Sequence, residues 1–388
     1  MIAFEKPGIA GLFCVRPPEL VESCYLSNAS FNIAMPRILP GLTLALSLIL
    51  VSPTSPAQIN PAEFSAEYWQ QQRRFSDVEV MAIGDGPERA YVFKPAGDPA
   101  SGLPLVLFNH GWLGMNPKNF GGLIDLIVRR GAVLIYPVYQ EGEKTAPQQI
   151  TRNAAIAARR ALEVLDALHP GLVDHRKTLY WGFSMGATIS LNIALDPGHF
   201  DLPAPGALMM VSPGDSHHVA RGERAASIIG PVEQLPPVLP VLLASGAADT
   251  HIGAPTARAI AARLCHLPAK QRNLILFPSD SDGDRKILAG HGSPGAPDSR
   301  YDFPDPRASV PGRIRSTQDF EPSASLNQLD FHGYWRLTMG LLDYVAGGSY
   351  PTTLFSRDTA ENHDLGVWSS GKPYAAAIIE DPCAPPVR

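Results

Sequence analysis

Short apolar runs alternate with helical patterns along most of this chain, and the alternation constrains the fold more than any other feature. Continuous apolar strands of this kind are typical of a parallel sheet that helices cover on both faces. The predicted strands are Asp77–Ile83, Arg89–Lys94, Leu103–Phe108, Ala132–Tyr136, Thr178–Trp181, Gly206–Val211, Val238–Ala244 and Asn273–Phe277. The clearest predicted helices are Ile150–Leu168, Pro255–Leu267 and Leu326–Val345. The sequence therefore predicts an α/β protein with a mostly parallel central sheet.

The first 57 residues differ in character from the rest. Their apolar run, Ile38–Val51, is shorter than the about 20 residues that a membrane span requires. Arg37 precedes this run and Ser55-Pro56-Ala57 follows it, which is the pattern of a cleaved secretory signal. We therefore expect residues 1–57 to be a leader, translation to begin at Met35, and the mature protein to be secreted or periplasmic. A poorly ordered N-terminal arm is the alternative.

Residues 58–388 are predicted to form a single domain with two insertions. Residues 215–237 lie between two core strands and are a candidate lid. Residues 292–325 lack the hydrophobic period of a helix or strand and are expected to run over the surface. The tail after Gly347 is expected to wrap the domain. With a net charge of −5, the chain lacks the excess of positive charge that binding to nucleic acid requires, so no nucleic-acid partner is expected. No stable membrane span is expected either.

The strongest chemical signal is a serine between two glycines, where a predicted strand meets a helical segment. Leu179-Tyr180-Trp181 leads into Gly182-Phe183-Ser184-Met185-Gly186, and a helix-compatible stretch follows. Glycines two residues before and after the serine permit the sharp turn that presents its hydroxyl above a sheet edge. The N-terminus of the following helix directs backbone N–H groups towards developing negative charge. This pattern predicts that Ser184 is a nucleophile.

On these residues the chain resembles the α/β-hydrolase superfamily, over roughly residues 77–346. A second motif supports the resemblance, because strand Leu103–Phe108 ends in Asn109-His110-Gly111-Trp112, which is similar to the His-Gly motif of the family. The resemblance implies the α/β-hydrolase fold with short lid-like insertions. It also implies an oxyanion hole formed by the backbone N–H groups of Trp112 and Met185, with His110 in a structural role.

The family's order of serine, acid and histidine suggests the remaining catalytic residues. Asp249 follows strand Val238–Ala244 in a Gly-x-x-Asp loop and is the expected acid. Asp215, after the preceding strand, is its rival, and capping of the next helix is a non-catalytic reading of Asp249. His291 lies on a loop after the last core strand and is the expected base. His332, near the start of the last helix, is the alternative.

Other signals are weaker. Residues 280–284 have the Asp-x-Asp-x-Asp spacing of a calcium loop, but Arg285 and His291 occupy positions where that loop requires glycine and glutamate. Neither a P-loop nor a zinc-protease motif is present, and no cofactor or metal is expected. If the leader is removed, Cys265 and Cys383 remain and could form a disulfide in an oxidising compartment. The sequence leaves that pairing open.

These observations predict an exported serine hydrolase that cleaves a small-molecule carboxylic ester through Ser184, His291 and Asp249. Trp112, Trp181 and Met185 suggest an apolar pocket, although each is also a plausible core residue. Two alternatives stay open. An acyltransferase would use the same residues, and a non-catalytic binding module would use only the scaffold. The sequence gives no information on oligomeric state.

Overall fold

The computed structural model describes residues 64–218, 226–303 and 324–384. The predicted leader, the proposed start at Met35 and the central parts of both predicted insertions lie outside these ranges. Among the described residues, no helix combines the length and the apolar composition needed to cross a membrane.

A nine-stranded sheet forms the centre of the molecule. The strands of this sheet are β1 Val78–Ile83, β2 Ala90–Pro95, β3 Leu103–Asn109, β4 Val133–Pro137, β5 Val173–Phe183, β6 Ala207–Val211, β7 Val241–Gly246, β8 Arg272–Phe277 and β11 Ile378–Glu380. Their order in the sheet is β1-β2-β4-β3-β5-β6-β7-β8-β11. From β4 to β8 the neighbours are parallel, whereas β1, β2 and β11 pair antiparallel. A separate hairpin consists of β9 Asp280–Asp282 and β10 Arg285–Ile287.

Helices cover both faces of this sheet. They are α1 Ala66–Gln71, α2 Gly121–Arg129, α3 Ile150–Leu168, α4 Met185–Leu195, α5 Gly253–Arg263, α6 Arg336–Val345, α7 Thr352–Phe355 and α8 Ala360–His363. Side chains of α2 and α6 share one apolar core with strand residues such as Val106, and those of α3, α4 and α5 share the other with residues such as Leu107. Alternate strand residues thus enter opposite cores, and the predicted fold class is confirmed.

Several elements differ from the predicted ones. The predicted helix Leu326–Val345 consists of a π-helical segment, Leu329–Trp335, that continues into α6. Within it, a Cβ atom on Gly333 would lie 2.8 Å from the Phe277 ring, so the glycine permits close packing on β8. Strand β5 begins at Val173, earlier than predicted, because residues 174–177 are polar and at least partly exposed and so lack the apolar pattern of a buried strand. Strand β11 was not predicted, because three residues are too few to carry a period.

The C-terminal tail is fastened to the sheet edge. Strand β11 pairs with β8, and a disulfide joins Cys383 just beyond it to Cys265 after α5, with a Cα–Cα distance of 5.4 Å. Arg258 of α5 also forms a bidentate ion pair with Glu380. The tail therefore closes one edge of the parallel sheet.

The second predicted insertion begins inside the protein. Residues 292–296 are buried rather than on the surface, because backbone hydrogen bonds join Ala296 to Asn119 and Gly122 at 2.8 Å each. Ser299–Tyr301 form a short 3-10 helix that packs near α2. This part of residues 292–325 is therefore a packed element of the domain.

A buried carboxylate links three separate segments of the chain. Asp125 of α2 accepts hydrogen bonds from Arg73 Nε at 2.7 Å and from the Tyr301 hydroxyl at 3.0 Å. Arg300 Nη2 lies 3.1 Å from Oδ1, the oxygen that Tyr301 contacts, and Arg129 Nη1 lies 3.5 Å from Oδ2. Its side chain is 1% exposed. Removal of this carboxylate takes away the ion-pair partner of the mostly buried Arg73 and Arg129, whereas Arg300 keeps its ion pair with Asp298.

We expect Asp125→Ala to lower the free energy of unfolding by about 3–5 kcal/mol, the usual cost of breaking a buried ion pair from one side. Urea titration followed by circular dichroism measures the change. Glu163→Ala is the matched control, because Glu163 pairs with Arg159 on the exposed face of α3 and its loss should cost no more than about 0.5 kcal/mol. Equal losses in the two variants would contradict this account.

Candidate active site

Ser184 occupies a strained turn between β5 and α4. Its φ is 53° and its ψ is −122°, a backbone conformation that residues with a side chain rarely adopt. The flanking glycines make the turn possible. A Cβ atom on Gly182 would lie 2.2 Å from the Gly186 carbonyl oxygen, and one on Gly186 would lie 2.0 Å from that of Asn109. The turn therefore requires glycine at both positions.

A chain of hydrogen bonds connects Ser184 to two other predicted site residues. Ser184 Oγ lies 2.9 Å from His291 Nε2, and His291 Nδ1 lies 2.6 Å from Asp249 Oδ2. The Asp249 side chain is 3% exposed, whereas the His291 side chain is 22% exposed. In the neutral tautomer with hydrogen on Nδ1, His291 donates to the carboxylate and accepts from the serine hydroxyl. This arrangement can move a proton away from Ser184 Oγ.

The loops that carry the acid and the histidine pack directly against each other. Ala248 N donates to the Ala289 carbonyl oxygen at 3.0 Å, and a Cβ atom on Gly246 would lie 2.0 Å from that same oxygen. A Cβ atom on Gly253 would lie 2.1 Å from Asp249 Oδ2. The backbone contact between the two loops and the glycines at 246 and 253 thus allow the Asp249 carboxylate to lie beside the His291 imidazole.

The histidine loop is also supported from the π-helical segment. Ser293 Oγ donates to the Gly290 carbonyl oxygen at 2.8 Å and lies 2.9 Å from the Tyr334 hydroxyl. Burial raises the pKa of Tyr334, so its hydroxyl stays protonated. The Phe183 ring lies 5.0 Å from the His291 ring, centroid to centroid. An aromatic side chain and a hydrogen-bonded loop therefore flank the imidazole.

The backbone N–H groups of two residues near the serine are among those without a hydrogen-bond acceptor in the described part of the chain. They belong to Trp112 and Met185, the residues that the resemblance suggests for an oxyanion hole. Ser184 is close to both segments, since a Cβ atom on Gly111 would lie 3.1 Å from Ser184 Cβ. One on Gly214 would lie 3.0 Å from Ser184 Oγ and 3.2 Å from Met185 N. Gly214 thus packs closely against Ser184 and Met185, where a side chain would crowd the serine hydroxyl.

The motif histidine beside Trp112 is buried. Each of its ring nitrogens faces a carbonyl oxygen, with Nδ1 at 2.6 Å from Gly111 O and Nε2 at 2.9 Å from Val138 O. Burial nevertheless lowers the pKa of His110 to about 4, so the ring is neutral at physiological pH. Its hydrogen-bond contacts are with the backbone of its own loop and of the segment after β4, and its ring stacks on those of Tyr136 and Tyr139.

The two rival residues lie in other environments. Asp215 binds its own insertion, accepting from Ser216 N at 2.7 Å and Ile228 N at 2.9 Å. Burial alone would raise its pKa, but the hydrogen bonds from Ser227, Ile228 and Ser216 lower it on balance. His332 is buried in the π-helical segment against Phe64. The histidine that the structure brings to Ser184 is His291.

Three residues near the site were not identified from the sequence. Tyr136 lies near the end of β4, and Tyr139 and Gln140 lie just after it; all three contact loop 110–114 through side-chain hydrogen bonds. Their sequence signal is a run of polar and aromatic residues immediately after a buried strand. In an α/β sheet that position is the edge where active sites lie.

Residues 280–284, which have the spacing of a calcium loop, connect a hairpin to the C-terminal tail. Asp280 begins strand β9 and accepts hydrogen bonds from Trp368 Nε1 at 2.9 Å and Ala375 N at 3.0 Å. Within the described ranges there is no group of three or more His, Cys, Asp or Glu side chains arranged to hold a metal ion. Asp280 thus links hairpin β9–β10 to the C-terminal tail.

Comparison with known proteins gives structural likeness only. No protein-family model and no curated protein sequence matches the chain. An acylaminoacyl peptidase from Pyrococcus horikoshii is similar over 54% of this chain and 38% of that chain, with 12% identity and a TM-score of 0.41. Carboxyl esterase 2 of the fungus Tuber melanosporum is similar over 52% and 76%, with 17% identity and a TM-score of 0.40.

The fold itself is identified by its own topology. A mostly parallel sheet carries a serine on a strained strand-to-helix turn, and an acid and a histidine follow in that chain order after β7 and β8. This chain therefore has the α/β-hydrolase fold.

Proposed function

We propose that this protein is a serine hydrolase that cleaves carboxylic esters through an acyl-enzyme on Ser184. The observation that carries the proposal is the hydrogen-bonded series from Ser184 Oγ through His291 to Asp249. A hydroxyl, an imidazole and a buried carboxylate in this order are the parts that activate a serine. The strained backbone at Ser184 supports a functional role, because such strain is concentrated at active sites.

In the first half of the proposed reaction, His291 Nε2 accepts the proton of Ser184 as Oγ attacks the ester carbonyl carbon. Asp249 stabilises the resulting imidazolium and keeps the ring oriented. The tetrahedral intermediate collapses when the imidazolium gives its proton to the leaving alkoxide, which departs as an alcohol. In the second half, His291 removes a proton from water, the hydroxide attacks the acyl-enzyme, and the acid is released as Ser184 regains its proton.

The charge that develops on the carbonyl oxygen requires hydrogen-bond donors. In this proposal the backbone N–H groups of Trp112 and Met185 supply them, supported by the proximity of both segments to Ser184 and by the lack of other acceptors among the described residues. A donor of this kind is typically worth about 3 kcal/mol of transition-state stabilisation. Neither half of the reaction uses a cofactor.

Product analysis tests the reaction class. We expect the purified protein to release 4-nitrophenol from 4-nitrophenyl acetate or butyrate and to yield the free acid as the second product. An acyltransferase would instead convert most of the acyl group into a new ester when a short alcohol is added. A well-folded protein that releases nothing from any ester in a panel would support the binding-module alternative.

We further propose that the protein is exported after removal of residues 1–57. The disulfide between Cys265 and Cys383 supports this, because such bonds persist in oxidising compartments. N-terminal sequencing of the protein from its native source is expected to find a mature chain that begins near Gln58. A chain that retains residues before Ile38 would contradict export by this signal.

A further inference from the structure

Gln140 contacts the loop that carries one of the proposed oxyanion donors, yet it lies far from that loop in sequence. We propose that Gln140 is a positioning residue that holds loop 110–114 so that the Trp112 N–H points at the reacting carbonyl oxygen. The proposal rests on the function proposed above, since it concerns the same site.

Loop 110–114 contains a tight turn that its own residues do not favour. Gly114 N donates to the Gly111 carbonyl oxygen at 2.9 Å, so Trp112 and Leu113 are the two central residues of the turn. Leu113 has a φ of 63°, in the left-handed region where a leucine is strained. Such a conformation persists only when surrounding contacts hold it.

Gln140 supplies one of those contacts from the segment after β4. Its Oε1 accepts a hydrogen bond from Leu113 N at 2.9 Å, and its side chain is buried. The segment is itself held by hydrogen bonds, because Val138 N donates to the Arg89 carbonyl oxygen at 2.8 Å and Asn153 Nδ2 donates to the Tyr139 carbonyl oxygen at 3.2 Å. The glutamine therefore presents its acceptor from a rigid support.

The peptide groups on both sides of the Trp112 Cα atom are held. Gly111 O accepts from Gly114 N, and the Tyr139 hydroxyl lies 3.1 Å from it. Because a trans peptide is planar, fixing Gly111 O also fixes the opposite direction of the Trp112 N–H. Gln140 holds the next peptide through Leu113 N. Together these contacts leave the Trp112 N–H little freedom to turn away.

Fold stability alone does not explain a glutamine at this position. Since Oε1 faces Leu113 N, the amide Nε2 faces elsewhere, and it is buried without a hydrogen-bond partner among the described residues. A buried donor without a partner destabilises the folded state. A methionine of similar length would avoid that penalty while giving up the bond to Leu113. The two effects oppose each other, so Gln140→Met should fold with a melting temperature close to that of the wild type.

The test compares an ester with the thionoester that has sulfur in place of the carbonyl oxygen. Backbone N–H groups stabilise an oxyanion better than the larger thioanion, so the oxygen-to-sulfur ratio of kcat/KM reports how well those donors are aimed. For Gln140→Met we expect kcat on the oxygen ester to fall about tenfold to hundredfold, part of the loss expected when a whole donor is removed. The oxygen-to-sulfur ratio of kcat/KM should fall together with this kcat, and KM for the oxygen ester should change less than kcat does.

Gln271→Met is the matched control. Gln271 donates from its amide to the Val238 carbonyl oxygen before β7, so the same substitution removes a comparable contact elsewhere. The control should retain the wild-type ratio. Equal losses on both esters in Gln140→Met, or no loss, would overturn the proposal, whereas a wild type that hydrolyses neither ester would overturn the proposed function itself. If Gln140→Met does not fold, Gln140→Asn, whose shorter side chain cannot reach Leu113 N, must show the selective loss for the proposal to hold.

Discussion

Replacing Ser184 by alanine is expected to lower kcat for ester hydrolysis by about ten-thousandfold or more, because the proposed acyl-enzyme cannot form without its oxygen. The side chain is small and 8% exposed, so the variant should fold as the wild type does. Steady-state hydrolysis of 4-nitrophenyl butyrate, with circular dichroism to verify folding, measures the effect.

A second serine variant distinguishes the catalytic role of Ser184 from a nonspecific effect of replacing any serine by alanine. Ser281 lies on the exposed hairpin β9–β10, and Ser281→Ala should retain wild-type kcat. If Ser184→Ala kept more than about a hundredth of the wild-type kcat in a folded protein, nucleophilic catalysis by this residue would be contradicted, since loss of a triad serine usually costs far more.

The second large effect is expected at the histidine. His291→Ala should lower kcat about as much as Ser184→Ala does, because nucleophile and base act as one unit and their losses do not add. The double variant should therefore be no slower than either single variant. Single and double variants assayed on one ester provide the comparison.

His332→Ala is the informative counterpart, because His332 was the alternative base. Its ring is buried against Phe64 in the π-helical segment, so its loss should lower the melting temperature while the folded enzyme retains kcat within about threefold. If His332→Ala were folded and inactive while His291→Ala stayed active, the assignment of the base would be reversed.

Much of this site could be predicted from the sequence, because its parts are local. The glycines around Ser184 are required by a turn of five residues, and the atoms that a Cβ would meet at Gly182 and Gly186 explain why. The ends of parallel strands meet at one edge, so loops after β3, β5, β7 and β8 were expected to converge there. The expected positions of Asp249 and His291 follow from that rule and from the family's chain order.

What could not be predicted depends on contacts between distant segments. Gln140 is 27 residues from Leu113, and only the crossover that brings the end of β4 beside β3 joins them. The partnership of Cys265 with Cys383 depends on strand β11, whose three residues carry no usable pattern. The buried start of residues 292–325 depends on backbone bonds to Asn119 and Gly122, which composition does not reveal.

The most direct test of the central claim is the intact mass of the protein after treatment with a fluorophosphonate, which reacts with activated serines. The account predicts that the wild type gains the mass of one phosphonyl group, that peptide mapping assigns the group to Ser184, and that Ser184→Ala gains none. A folded wild type that stays unlabelled, or a Ser184→Ala variant that labels as fast as the wild type, would contradict it.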